Sequence, residues 1–83
     1  MYPPKVNING TSKDELVRQF LECHEALEAA YKAMQDCYPH GRDFQTQSPE
    51  IYRLARDQHD RWLYNLAEMR AGIDQIGAEI LDN

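Results

Sequence analysis

Residues 49–81 read PEIYRLARDQHDRWLYNLAEMRAGIDQIGAEIL, and this pattern predicts one long amphipathic helix. Ser48 suits the N-cap, Pro49 the first helical position and Glu50 the positive end of the helix dipole. At 1.5 Å per residue the helix has a length of roughly 48 Å. The residues expected to face inward recur at helical spacing and are Ile51, Ala55, Gln58, Trp62, Leu66, Met69, Ile73, Ile76 and Ile80.

A second amphipathic helix is predicted over residues 13–37. Ser12 and Glu15 have the spacing of a capping box, which places the helix start near Lys13. Pro39 disfavours helical geometry in the residue before it, so the helix ends close to Tyr38. Its apolar stripe is broad, which indicates two contact faces, one for the long helix and one for another chain. The inward residues form a heptad seam of Leu16, Phe20, Cys23, Leu27, Ala30, Met34 and Cys37.

These two segments predict an all-α fold. Residues 1–83 form one domain, an antiparallel two-helix hairpin with an N-terminal extended arm over residues 1–12 and a loop over residues 38–48. So short a chain buries only a small core, and two helices cannot enclose all the large apolar side chains. We therefore expect assembly into a homo-oligomeric helical bundle, either a dimer or a higher ring.

Composition and motifs exclude several functional classes. The net charge of −5 argues against broad nucleic-acid binding. No apolar run approaches the roughly 20 residues that cross a bilayer, and the N-terminus lacks a signal-peptide pattern, so we expect no membrane partner and a cytoplasmic location. No catalytic motif is present, so we expect no enzyme and no cofactor. His24 and His59 would need further ligands to hold a metal, so no metal is expected.

The strongest candidate site is the loop together with the first turns of the long helix. Arginine holds phosphate with a bidentate fork, and aromatic rings stack on bases. The pattern therefore predicts a small-nucleotide pocket. The alternative is that Arg42 and Asp43 pair with each other or cap helix ends and hold the loop shut. The candidate ligand-binding residues in this region are Arg42, Asp43, Phe44, Tyr52, Arg56 and His59.

A second candidate is the segment Asn9, Gly10 and Thr11. A turn that leads into the N-cap explains this segment almost fully. In one hairpin it lies at the end opposite the loop. In an antiparallel dimer the two ends of different chains come together, so Asn9 and Thr11 of one chain would share a pocket with Arg42 and Asp43 of another.

The chain resembles a group of short proteins encoded by phages and prophages. The resemblance covers nearly the whole chain and rests on Asn9-Gly10-Thr11-Ser12, on residues 39–44 (PHGRDF), and on Ala55 and His59 four residues apart. The group has an NGTS-like start and an NGRDYY- or HGRDYY-like loop. Here Phe44-Gln45 stands where the group often has two tyrosines, which puts a role for those hydroxyls in doubt. The resemblance implies a phage origin and a helical hairpin, not an activity.

By looser analogy, several small helical phage proteins are oligomeric sponges that sequester nucleotide signals of bacterial immunity without cleaving them. The leading hypothesis is therefore a phage accessory protein in the host cytoplasm that counters immunity in this way. One alternative is an inhibitor of a host defence protein that acts through the acidic face of Glu22, Glu25 and Glu28. The other is a structural or assembly component of the phage particle.

Overall fold

The computed structural model describes residues 1–82 and consists of two long helices joined by a short loop. Helix α1 spans Lys13–Asp36, helix α2 spans Pro49–Leu81, and a 3-10 helix spans Gly41–Phe44. No strand occurs within these 82 residues. The molecule is an elongated helical hairpin with principal extents of 61, 19 and 17 Å. The predicted all-helical hairpin is confirmed.

Helix α1 begins at the predicted N-cap. The Ser12 hydroxyl accepts a hydrogen bond from the Glu15 backbone N–H at 3.2 Å. The Glu15 carboxylate does not complete the expected capping box, because it binds the Arg18 guanidinium instead. After the last residue of α1, the Cys37 N–H donates to the Ala33 carbonyl at 3.2 Å. The helix thus ends one residue before the predicted boundary.

Helix α2 begins where Ser48 and Pro49 predict. The Ser48 hydroxyl accepts a hydrogen bond from the Ile51 backbone N–H at 3.3 Å. This bond satisfies one of the N–H groups that the first helical turn leaves without an intrahelical partner.

Replacing Ser48 with alanine is expected to lower the free energy of unfolding by about 1 kcal/mol, because the Ile51 N–H loses its partner. Urea unfolding followed by circular dichroism measures the change. Thr46→Ala is the matched control, since Thr46 is an exposed loop hydroxyl residue that makes no hydrogen bond with the described residues. An equal effect of the two substitutions would contradict the capping role.

Contacts between the helices join the first half of α1 to the last turns of α2. A Cβ placed on Gly77 would lie 3.7 Å from the Phe20 Cβ, so the two backbones approach closely there. The other end of α1 meets the middle of α2, where the Tyr38 hydroxyl donates to the Asp60 carboxylate at 2.7 Å. The first turns of α2 therefore extend beyond α1, and the 3-10 helix packs there.

The core is small. Within residues 1–82 the buried side chains are Leu66, Ile80 and His59, with relative exposures of 8, 0 and 6 %. The predicted inward positions are right for Leu66 and Ile80. Helix α1 packs on the side of α2 that carries His59, and an apolar stripe wider than one neighbour leaves its far edge in solvent. On α2 the inward prediction is wrong for four residues that are exposed in the hairpin: Ile51, Gln58, Trp62 and Met69.

The cysteines differ from each other. Cys23 is half-buried on α1, as its place in the heptad seam predicts. The inward prediction for Cys37 is wrong, because Cys37 follows the last residue of α1 and is exposed. Its thiol contacts the Met34 carbonyl, with the sulfur 3.5 Å from the oxygen. Neither helix is both long and apolar enough to span a bilayer, as judged over the residues that the structure describes.

Candidate ligand-binding loop

Backbone hydrogen bonds give the loop a defined shape. The His40 ring accepts the Arg42 N–H at its Nδ1, 3.3 Å away, and the His40 carbonyl accepts the Asp43 N–H at 3.0 Å. The Phe44 carbonyl accepts the Gln47 N–H at 3.0 Å and closes the following turn. Two successive turns, over residues 40–43 and 44–47, therefore shape the loop, and they leave the Arg42 and Asp43 side chains in solvent.

Aromatic contacts attach the loop to the start of α2. The Phe44 and Tyr52 ring centroids are 5.5 Å apart, with the planes tilted by 39°. The Arg56 guanidinium lies over the Tyr52 ring, 4.6 Å from its centroid, which is cation–π geometry. A Cβ on Gly41 would lie 3.9 Å from the same ring. The Tyr52 ring is therefore already packed by the loop and by Arg56, and a base would have to displace one of these groups to stack on it.

Arg42 and Asp43 are exposed, and their side chains make no ion pair or hydrogen bond with any of residues 1–82. The alternative in which they pair with each other or cap a helix end does not describe this loop. Arg53, at the start of α2, differs from Arg42, because its guanidinium binds the carboxylates of Glu50 and Asp57. The pair with Arg53 lowers the pKa of Glu50. Arg42 is thus a cation on a structured turn with an open guanidinium.

His59 is buried where α2 meets the end of α1. Its Nε2 is 2.6 Å from the Met34 carbonyl, one of the last carbonyls of α1, which the helix itself leaves unsatisfied. The His59 and Tyr38 rings meet edge to face with centroids 5.2 Å apart. The hydrogen bond to Asp60 raises the pKa of Tyr38. His59 therefore acts as a buried link between α2 and the end of α1, and the hairpin leaves little of it open to a ligand.

The two helix histidines do not meet. His24 Nδ1 lies 2.5 Å from the Asp74 carboxylate on α2, and its Nε2 lies 3.4 Å from the Glu28 carboxylate. His59 contacts α1 at Met34, about three turns further towards the loop. Over residues 1–82, no group of three or more acidic, histidine or cysteine side chains is arranged to hold a metal ion.

The segment Asn9, Gly10 and Thr11 is exposed and forms a turn around Asn7. The Asn7 side chain accepts the Asn9 N–H at 3.0 Å, and its carbonyl accepts the Gly10 N–H at 3.2 Å. The length of α1, roughly 36 Å at 1.5 Å per residue, separates this turn from the loop. A single hairpin does not bring the two candidate segments together.

Some cross-helix contacts were not predicted from the sequence. The His24–Asp74 pair and the Arg70 guanidinium, 5.6 Å from the Tyr31 ring centroid, depend on the register between the helices. The acidic face of α1 is partly neutralised, because Glu22 binds Arg18 and Glu28 lies near His24 and Lys32. The ion pairs within α1 join residues four apart, so local helical spacing would have predicted them.

Fold and loop together define a small helical-hairpin protein with an exposed, structured polar loop. No protein-family model, no curated protein and no solved structure matches this chain.

Proposed function

We propose that this chain is a non-enzymatic binding protein that sequesters a small nucleotide at the loop. The supporting observation is the open guanidinium of Arg42, held on a structured turn beside Asp43 and the Phe44–Tyr52 aromatic pair. Arginine forms bidentate, charge-assisted hydrogen bonds with phosphate oxygens. Arg42 would hold a phosphate, and Asp43 would accept hydrogen bonds from a base or ribose.

The aromatic pair defines how a base would bind. The Tyr52 ring is covered by Phe44 and Arg56, so in this proposal the Phe44 ring provides the stacking surface. The Arg56 guanidinium adds positive charge near the base of the loop. Binding without chemistry is favoured, because the loop contains no nucleophile paired with a base among the described residues.

The proposal includes a homo-oligomer, a dimer or a higher assembly. Phe20 lies near Gly77, and Tyr38 is hydrogen-bonded to Asp60. Because the later residue on the first helix contacts the earlier residue on the second, these contacts support an antiparallel arrangement of the two helices. Since Asn9 and Thr11 lie at the far end of the hairpin, they would reach a ligand on Arg42 only from another copy. The oligomer would then bring both candidate segments to one pocket.

The biological setting in this proposal is a phage accessory protein that acts in the host cytoplasm against a nucleotide signal of bacterial immunity. The resemblance of residues 9–12 and 39–44 to phage-encoded proteins supports the setting. The net charge of −5 supports a small ligand, since a long nucleic acid would be repelled outside the loop.

Thermal unfolding with a panel of cyclic dinucleotides, cyclic oligonucleotides and ADP-ribose derivatives tests the proposal. A ligand at 100 times its dissociation constant stabilises the fold by about 2.7 kcal/mol, which raises the melting temperature of a domain of this size by at least about 10 °C. Arg42→Gln is expected to abolish this shift.

Arg18→Gln is the matched control, because it removes the same charge from an ion-paired arginine on α1 and should keep the shift. If no nucleotide in the panel stabilises the wild type, or if Arg42→Gln binds as tightly as the control, the loop is not the nucleotide site.

A further inference from the structure

Helix α2 carries a second stripe of uncharged side chains, which we name the outer seam. Its members recur in steps of four and three residues, the spacing of a coiled-coil seam. At 100° per residue this stripe lies roughly a quarter turn from the side that packs on α1. Helices of a four-helix bundle contact two neighbours at such an angle. The outer seam consists of Ile51, Ala55, Gln58, Trp62, Asn65, Met69, Gly72 and Ile76.

The outer seam is largely open in the hairpin. Ile51, Trp62 and Met69 have relative exposures of 42, 48 and 54 %. Large apolar side chains in a row on one helix face are typical of a contact surface. The core of one hairpin is also small for a stable isolated fold, since Leu66 and Ile80 are the only buried apolar residues among the 82 described.

Gly72 is a second, independent indication. A Cβ at this position would meet no atom within 4 Å, so nothing in the hairpin requires a glycine there. Glycine in a helix interior costs about 1 kcal/mol relative to alanine. Gly77 differs, because it faces Phe20 across the hairpin. A close approach by the backbone of another chain accounts for a glycine at position 72 of the outer seam.

We propose that the outer seam packs antiparallel against the outer seam of a second copy of this chain. Ile51 then lies opposite the partner's Ile76, Ala55 opposite the partner's Gly72, and Trp62 opposite the partner's Asn65. The two smallest residues of the seam face each other, which lets the helices approach closely. The inference rests on the homo-oligomer of the proposed function, but it does not depend on the nucleotide.

Charges beside the outer seam favour this register. Arg61 and Glu68 flank the seam on the same side, one heptad apart. Arg61 makes no hydrogen bond or ion pair with any of residues 1–82. In the antiparallel pair Arg61 lies within about 3 Å, along the axis, of the partner's Glu68, and the twofold axis forms this pair twice. A parallel alignment places Arg61 beside the partner's Leu66 and forms neither pair.

Sedimentation velocity of the full chain tests the surface. The wild type is expected to be a dimer at micromolar concentration, and Met69→Glu is expected to weaken dimerisation at least about 100-fold, because it buries a charge in the seam. Met69 is half exposed in the hairpin, so the helical content of the variant should not change. Ala71→Glu is the matched control, since it adds the same charge to an exposed position of α2 outside the seam.

Charge reversal tests the register. Arg61→Glu is expected to weaken dimerisation by about tenfold, because it places two like-charge pairs across the interface. Adding Glu68→Arg to this variant should restore the wild-type dissociation constant. Gly72→Leu has space in the hairpin and should weaken only the dimer.

The outcomes separate the two proposals. If the wild type remains monomeric at a protein concentration of about 100 µM, both the homo-oligomer and the outer-seam interface are overturned. An oligomer that Met69→Glu leaves intact overturns the interface alone. An Arg61→Glu defect that Glu68→Arg does not rescue overturns the antiparallel register.

Discussion

Replacing Ile80 with alanine is expected to lower the free energy of unfolding by about 2–5 kcal/mol, more than the truncation of any exposed apolar side chain of the hairpin. Ile80 is fully buried, with 0 % exposure, and only Leu66 joins it as a buried apolar residue in the described chain. The loss combines the transfer of apolar surface with the cavity that remains. For a small domain this is a large share of the total stability.

Urea unfolding at one fixed protein concentration measures the effect, because the proposed self-association would make stability concentration-dependent. Leu81→Ala is the matched control: Leu81 is the next residue and is 58 % exposed. The control should change the free energy of unfolding by less than about 0.5 kcal/mol. Similar losses at positions 80 and 81 would show that this end of the hairpin packs differently.

Replacing His59 with phenylalanine is expected to cost about 1–3 kcal/mol. Phenylalanine fills the ring volume but cannot donate to the partly buried Met34 carbonyl, which then keeps only the weak contact from the Cys37 thiol. His59→Ala should cost more, because it also leaves a cavity beside Tyr38 and Trp62. The same unfolding measurement reports both variants.

Tyr64→Phe provides the comparison for His59→Phe. It also removes a hydrogen bond, from the Tyr64 hydroxyl to the Glu68 carboxylate, but at a residue that is 63 % exposed. Water replaces an exposed partner, so the expected change is below about 0.5 kcal/mol. If His59→Phe changes the free energy of unfolding as little as Tyr64→Phe does, His59 does not link α2 to the end of α1. That result would favour a ligand-binding role for His59.

The sequence located the candidate loop but did not predict which of its side chains are open to a ligand. Residue types and spacing singled out the region that contains Arg42 and Arg56, and the 3-10 helix Gly41–Phe44 lies there. The sequence did not rank those arginines. Tertiary contacts do, because Arg56 lies on the Tyr52 ring whereas the Arg42 side chain has no partner among residues 1–82. Likewise, His59 was a candidate ligand-binding residue in the sequence, but it is buried and lies against the Met34 carbonyl.

The sequence alone determined where each helix begins. Ser12, Ser48 and Pro49 act on backbone groups within one turn, and such local chemistry needs no knowledge of the rest of the chain. Tertiary structure alone decided the rotation of α2, which buries His59 and leaves Gln58 exposed. The apolar stripe of α2 is wider than one neighbouring helix covers, so periodicity defines the stripe but not the edge that α1 takes.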